Sequence, residues 1–287
     1  MKGRYIGENL RLLYDVLVYT NFYKMPGLLL AVDFEKAFDS VAWSFIKKSL
    51  DRFNFGPDIK RWVQRFYTSI KASVAVNSQY TSWFQIERSV RQGDPLSPYP
   101  YLICAEIMSL MIRQNPRIKG ILVKDTSVLL PQFTDDTTLY LDGKEQSFRE
   151  SVNVLVRFAS MPGLKINFDK TSAVWIGSEK DSRIRFLPHL EFKWNPATFK
   201  VLGVHFSTNT EIVPSINYEG KLLEIQKLLN AWSKRHLTPL GKIAVIKSLV
   251  VSKITYLTMN IPDPTEGFIQ ELEKMLLDFF YGIWQER

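Results

Sequence analysis

The chain is poor in cysteine and histidine and has no long apolar run, and each shortage excludes something. Its single cysteine, Cys104, rules out an internal disulfide and suits a reducing compartment. The scattered histidines, His189, His205 and His236, cannot build a conventional structural zinc site with that one thiol. No apolar stretch approaches the ~18 residues needed to span a bilayer, so no membrane partner is expected. The opening Met1-Lys2-Gly3-Arg4 leads into an amphipathic segment and not a secretory signal. Repeats and low-complexity tracts are missing as well, which excludes solenoid architectures.

What is present is a chain of 287 residues, 46% apolar and 23% charged, enough to bury a core and too apolar for disorder. Length alone leaves one large domain or two smaller ones open. The net charge of +8 is compatible with an ordinary basic protein or with a polyanion partner. Its placement is informative. Between Tyr218 and Lys253 stand Lys221, Lys227, Lys234, Arg235, Lys242, Lys247 and Lys253 against only Glu219 and Glu224, so this stretch supplies +5.

Ile6, Leu10, Leu13 and Leu17 recur at helical spacing. Gly27 precedes Leu28-Leu29-Leu30-Ala31-Val32, which reads as a strand covered on both faces. Phe38, Val41, Phe45, Leu50 and Phe53 predict one amphipathic helix, stopped by Gly56-Pro57. A further helix is expected over 59–69, then a hairpin from 73–77 and 81–86. Beyond the polar loop Arg91–Pro98, the pattern predicts a helix over 101–112 with Ser97 as its cap, strands flanking Asp135-Asp136, and a helix near 148–159. Short strands are expected near 165–168, 173–176 and 199–206. From Tyr218 onward the pattern is helical, broken at Thr238-Pro239 and Pro262-Asp263-Pro264, with an apolar face of Leu228, Trp232, Ile243, Ile246, Leu249 and Val250. The composition shift places a boundary between an α+β part, 1–206, and a helical part, 207–287.

Asp33 ends the apolar strand, where an unpaired carboxylate is costly unless it caps a helix or binds a metal. Asp135-Asp136 fall at a hairpin tip with no glycine beside them. They read either as a solvated acidic turn or as oxygen ligands for a hard divalent cation. Acids at a strand end and at a hairpin tip would together suit in-line phosphoryl transfer.

These residues are similar to a known family. Ala31-Val32-Asp33-Phe34-Glu35-Lys36-Ala37-Phe38-Asp39-Ser40-Val41 resembles the first catalytic motif of non-LTR (LINE-type) reverse transcriptases. Arg91-Gln92-Gly93-Asp94-Pro95-Leu96-Ser97-Pro98 resembles their nucleotide- and template-contacting motif, and Phe133-Thr134-Asp135-Asp136 their Phe-Ala-Asp-Asp box. Gly163–Thr171 resembles the next motif and Val201-Leu202-Gly203-Val204 the primer grip. The stretches around Trp232, Leu237–Lys242 and Phe279–Trp284 resemble the thumb.

The resemblance implies an α+β polymerase palm, an antiparallel sheet with helices on one side and partial fingers, followed by an all-helical thumb. It implies an RNA-directed DNA polymerase that extends a DNA primer with dNTPs on an RNA template. Asp33, Asp135 and Asp136 would hold two Mg2+ ions, with Mn2+ as a substitute, and Lys170 would act as general acid. Phe34, Phe38, Arg91, Gln92 and Gly93 would contact the nucleotide, with Phe38 equally readable as a helix core residue. Leu202 and Gly203 would form the primer grip. Lys227, Lys234, Arg235, Lys242 and Lys247 would follow the nucleic-acid backbone or form the polar face of the helical bundle. Nuclear action is implied as well.

Thr134 and Pro100-Tyr101 depart from the family pattern, and Pro100 biases Tyr99 away from helix. Much of the fingers and any endonuclease are not seen here, which fits a segment of a longer polyprotein. The alternative reading is a truncated, inactive remnant that only binds nucleic acid.

Overall fold

The apolar positions Leu10, Leu13 and Leu17 form the buried stripe of a helix, α1 (Ile6–Tyr23), as their spacing predicts. The computed structural model describes residues 5–91, 93–133 and 136–282, and for Gln132, Phe133 and Asp136 the backbone only. Two compact units share the chain: one is Met25–Pro196, the other combines Met1–Lys24 with Ala197–Arg287. No described helix is long and apolar enough to cross a membrane.

In the first unit the run around Leu28–Val32 becomes β1 (Pro26–Val32). The following elements are α2 (Ala37–Ser40), α3 (Trp43–Arg52), α4 (Pro57–Phe66), β2 (Lys71–Ala72), β3 (Ala75–Val76), β4 (Gln79–Tyr80) and β5 (Phe84–Gln85). Then come α5 (Pro98–Arg113), β6 (Ile121–Val123), β7 (Thr126–Val128), β8 (Gln132–Phe133), β9 (Asp136–Leu141), α6 (Glu145–Ser160), β10 (Ser172–Gly177) and β11 (Lys193–Trp194).

The main sheet has the order β11-β10-β1-β9-β8. All its pairings are antiparallel except the short parallel β10–β11 edge. Leu28 and Leu30 of β1 stand opposite Leu141 and Leu139 on one side, and Trp175 and Ala173 on the other. These residues alternate onto one face, where they join Phe45, Met108, Phe148 and Phe158 from the helices in a single core. Leu29, Tyr140 and Val174, on the opposite face, are buried too. The expectation of a strand covered on both faces holds.

Three local expectations need correction. The single helix expected from Phe38 to Phe53 is split at Val41-Ala42. Ala42 forms a bridge with Arg88, and its N–H donates to the Pro162 carbonyl at 2.9 Å. A long-range backbone partner outcompetes the local apolar period. The segment 165–168 contributes only a single bridge, Ile166 with Phe34. Ser97 has helical dihedrals and makes no side-chain cap; the Asp94 carboxylate accepts from Leu96 N–H at 2.9 Å instead. The hairpin expected from 73–77 and 81–86 forms with other bounds: 71–72 pair with 84–85 and 75–76 with 79–80, so Asn77 falls in the two-residue tip, Asn77-Ser78, with positive φ at both positions.

The second unit contains α1, the hairpin β12 (Phe199–Val201) and β13 (Val204–Phe206), and the helices α7 (Val213–Ser233), α8 (Pro239–Val245), α9 (Ser252–Thr258) and α10 (Glu266–Tyr281). A π-helical turn over Ile246–Val251 joins α8 to α9 without a break. Thr238 and Thr265 cap α8 and α10 through their hydroxyls, each next to a predicted break. The core is Ile225, Leu229, Val245, Val250 and Phe279, flanked by Leu228, Trp232, Ile246 and Leu249. Ile243, expected inside, is 37% exposed.

These compact units do not follow the expected 206/207 boundary, and the side chains give the reason. Arg11 Nε on α1 donates to the Met259 carbonyl at 3.0 Å. A methyl group at Gly7 would stand 1.9 Å from Asn260 Oδ1, so only glycine permits this approach. Asn217 on α7 accepts from His205 N–H at 2.9 Å and donates to the His205 and Val213 carbonyls at 2.7 and 2.8 Å. The Tyr256 hydroxyl donates to the Leu202 carbonyl at 2.6 Å. Together these bonds tie the opening helix and the 199–206 hairpin to the helical part.

Two expectations follow for stability. Asn217→Ala orphans one N–H and leaves two carbonyls short of a donor, so denaturant unfolding should show a loss of roughly 2–4 kcal/mol. Glu224 receives ammonium hydrogen bonds from Lys221, at 2.6 Å, and from Lys253. These bonds hold its carboxyl below the usual 4.5, at about 2, against a smaller upward push from burial. The stabilisation is therefore present above pH 4.5 and lost as pH falls through about 2. Because Glu224 is 42% exposed, Glu224→Gln should cost less than about 1 kcal/mol at neutral pH, and its melting curve should converge with the parent's in acid.

Candidate active site

The sheet brings two of the predicted acids to one edge. Val32, the last residue of β1, pairs with Thr137 of β9. Asp33 follows Val32 and Asp136 precedes Thr137 on the antiparallel neighbour, so both stand at the same end of the central strand pair. Asp136 pairs with Phe133 and so opens the outgoing strand. Thr134 and Asp135 lie outside the described residues. Among the described residues no group of three His, Cys, Asp or Glu side chains converges.

Asp33 itself is half-buried, and its carboxylate makes no hydrogen bond or ion pair among the described residues. It does not cap α2, whose preceding residue Lys36 is left-handed at φ 45°. The Asp33 oxygens, open to water at the end of β1, are of the kind that ligate a hard divalent cation.

The backbone around Asp33 is well held. Its N–H donates to Thr171 Oγ1 at 3.3 Å, and its carbonyl accepts from Asn167 N–H at 2.9 Å. Thr171 Oγ1 in turn donates to the Asn167 carbonyl at 2.7 Å. Lys170 is exposed in the turn between these two residues. The sequence reading missed this clasp. The signal was present in Asn167 and Thr171, whose side chains favour short-range bonds to backbone.

The predicted nucleotide-contacting residues separate. The Phe34 ring belongs to the core and meets Phe158 edge-on at 6.5 Å. Phe38 is half-buried and stacks on Tyr101 with ring centroids 4.2 Å apart. One face of its ring is thus packed. The Phe38 carbonyl accepts from Val90 N–H at 2.8 Å, bringing the loop that bears Arg91 alongside the first motif. Arg91 is exposed, 3.9 Å from Asp94, and reaches the Phe66 carbonyl at 3.5 Å. Gln92 lies outside the described residues. Gly93 has φ 84° with open space where a side chain would stand, so its conformation and not close packing calls for glycine. Pro100 falls in the first turn of α5, and Tyr99 stays helical. The departure at Pro100 therefore leaves this helix intact.

In the other unit, Leu202 and Gly203 form the two-residue tip of the β12–β13 hairpin, both with positive φ. Of the basic residues expected on nucleic acid, Lys227, Lys234, Arg235 and Lys247 are exposed. Arg235 holds its guanidinium 4.7 Å over the Trp232 ring. Lys242 differs: its ammonium donates to the Phe280 carbonyl at 3.0 Å, at the C-terminal end of α10, where a cation is favoured. Lys221 and Lys253 are committed to Glu224.

Comparison with known proteins gives a consistent answer. The family described as reverse transcriptase (RNA-dependent DNA polymerase) matches residues 18–206. The transposon TX1 uncharacterized 149 kDa protein of Xenopus laevis is 30% identical over 97% of this chain and 21% of its own length. The Pol polyprotein from the type-1 retrotransposable element R2 of Nasonia vitripennis is 26% identical over 77% of this chain and 22% of its own length. The chain thus spans about a fifth of these relatives. Among solved structures, apo telomerase from Candida Tropicalis is similar over 97% of this chain and 50% of that one, at 11% identity and a TM-score of 0.48. With the family matching all of the Met25–Pro196 unit and more than half of the chain, and the relatives drawn from TX1 and R2 elements, the chain belongs to the reverse transcriptases of non-LTR retrotransposons.

Proposed function

We propose that this chain is the polymerase segment of a longer retrotransposon polyprotein, extending a DNA primer with dNTPs on an RNA template. The Met25–Pro196 unit would serve as palm with partial fingers, and the helical unit as thumb. The observation that supports the reading is the β1–β9 register, whose last pair, Val32 and Thr137, has Asp33 following on one strand and Asp136 preceding on the other.

Asp33, Asp135 and Asp136 would hold two magnesium ions, or manganese in their place. Bound there, divalent cations supply charge stabilisation to the attacking and leaving oxygens of phosphoryl transfer. The chain's own residues do the rest by placement. Asp33 offers its carboxylate from a strand end fixed on both backbone groups. Phe38, braced by Tyr101, would stand against the sugar, and Gln92 and Gly93 beside the incoming nucleotide. Lys170, exposed in the adjoining turn, would give a proton to the departing pyrophosphate. Lys227 and Lys247, exposed on the helical unit, would contact backbone phosphate without reading sequence.

Primer extension on a poly(rA)/oligo(dT) hybrid with magnesium tests the reading. The parent should extend, and Asp33→Asn, Asp135→Asn and Asp136→Asn should each lose on the order of 10²-fold or more. Salt-sensitive binding of the hybrid without extension by any protein, parent included, would instead identify a remnant that only binds nucleic acid. Binding measured against salt checks the thumb. Lys227→Ala and Lys247→Ala should each flatten the slope by about 1. Lys242→Ala should leave the slope unchanged and cost about 0.3–1 kcal/mol of stability through its lost helix-end contact.

A further inference from the structure

We infer that Thr171 is a positioning residue for Asp33, acting through a hydrogen-bonded clasp that Asn167 closes. The inference rests on the reading of Asp33 as a metal ligand.

The ladder between β1 and β10 ends at the pair Ala31 and Ser172. Beyond that pair no strand in β10 remains to take the backbone groups of Asp33. The Thr171 hydroxyl supplies an acceptor where the ladder has ended, at 3.3 Å from the Asp33 nitrogen. Its own proton goes to the Asn167 carbonyl at 2.7 Å, and Asn167 N–H returns to the Asp33 carbonyl at 2.9 Å. The ring of three bonds is closed. Thr171 is 1% exposed, and its carbonyl accepts from Lys193 N–H at 3.0 Å, which anchors the clasp to the sheet edge.

Fixing both the N–H and the C=O of one residue fixes its φ and ψ, and with them the direction of its side chain. A hydroxyl is needed for this geometry because it donates and accepts at once. Valine, of similar shape, does neither. Lys170 directly precedes Thr171, so the same clasp also sets the origin of that lysine relative to Asp33. Outer-shell partners of this kind orient metal ligands and typically affect metal affinity or activity by 10–100-fold.

The test compares Thr171→Val and Thr171→Ser with the parent and with Asp33→Asn. Primer-extension kinetics is read beside Mn2+ binding, the latter from the resonance signal of the free ion in the absence of nucleotide. Thr171→Val should lower kcat by about 10- to 100-fold with little change in the dNTP KM, and weaken Mn2+ binding by about tenfold. Thr171→Ser, which keeps the hydroxyl, should stay near the parent in both. If serine falls as far as valine, methyl packing and not the hydroxyl matters, and the inference is overturned. It is overturned as well if valine matches the parent while Asp33→Asn has lost both activity and Mn2+ binding. If Asp33→Asn itself binds Mn2+ and extends like the parent, the reading of Asp33 fails first and the inference with it. Should the valine variant not fold, Thr171→Ala against Thr171→Ser makes the same comparison.

Discussion

The antiparallel pairing of β1 with a strand on each side is the constraint on which the rest of the first unit depends. One apolar strand, with no side chain able to satisfy its own backbone, must find hydrogen-bonding partners on both edges while burying both faces. Once β9 and β10 meet that demand, the positions of the chemistry follow from counting residues. The register through Val32 and Thr137 fixes where Asp33 and Asp136 emerge, and the register through Ala31 and Ser172 fixes where Thr171 meets Asp33. A slip of one residue in either ladder would turn every side chain of the moved strand to the other face and separate these groups. The hydrogen bonds that stabilise the sheet also set these positions.

Much of this was legible in the sequence. The Leu28–Val32 run announced a strand covered on both faces, and Asp33 marked its end. Leu10, Leu13 and Leu17 gave the opening helix, and Thr238 the start of α8. Two of the misses share one cause, a partner distant in the chain. The period from Phe38 to Phe53 contains no local reason to break at Ala42; the break comes from Arg88 and Pro162. The grouping of α1 with residues beyond Ala197 depends on bonds spanning most of the chain, such as Arg11 to Met259. The clasp around Asp33 was half visible, since an Asn and a Thr four residues apart suggest a turn, but nothing local says whose backbone they hold.

Charge shows the same distinction between composition and use. The stretch from Tyr218 to Lys253 reads as a basic surface, yet its lysines divide into different tasks. Lys221 and Lys253 neutralise one carboxylate, and Lys242 completes a helix end. The residues left facing solvent are fewer than the net charge suggests, and they lie on the polar side of a bundle whose apolar side is Ile225, Leu229 and Val250. A count of basic residues overstates the surface available to a polyanion, because folding spends part of it internally.

The π turn between α8 and α9 has a consequence for how this unit tolerates changes in length. Val245 and Val250 are both buried, although residues five apart in a regular α-helix point well away from each other. The wider i→i+5 turn brings them onto one side. Such a turn is a regular helix carrying one surplus residue. Losing a single codon within 246–251 would let the helix close to ordinary geometry and leave α9 in nearly its present phase, because the wider turn is what absorbs the extra residue. A codon lost from the regular part of α9 before Tyr256 would instead turn that residue by about 100° and take its hydroxyl from the Leu202 carbonyl at the hairpin tip. Tolerance to a change of length is therefore confined to the one turn that already carries a surplus residue.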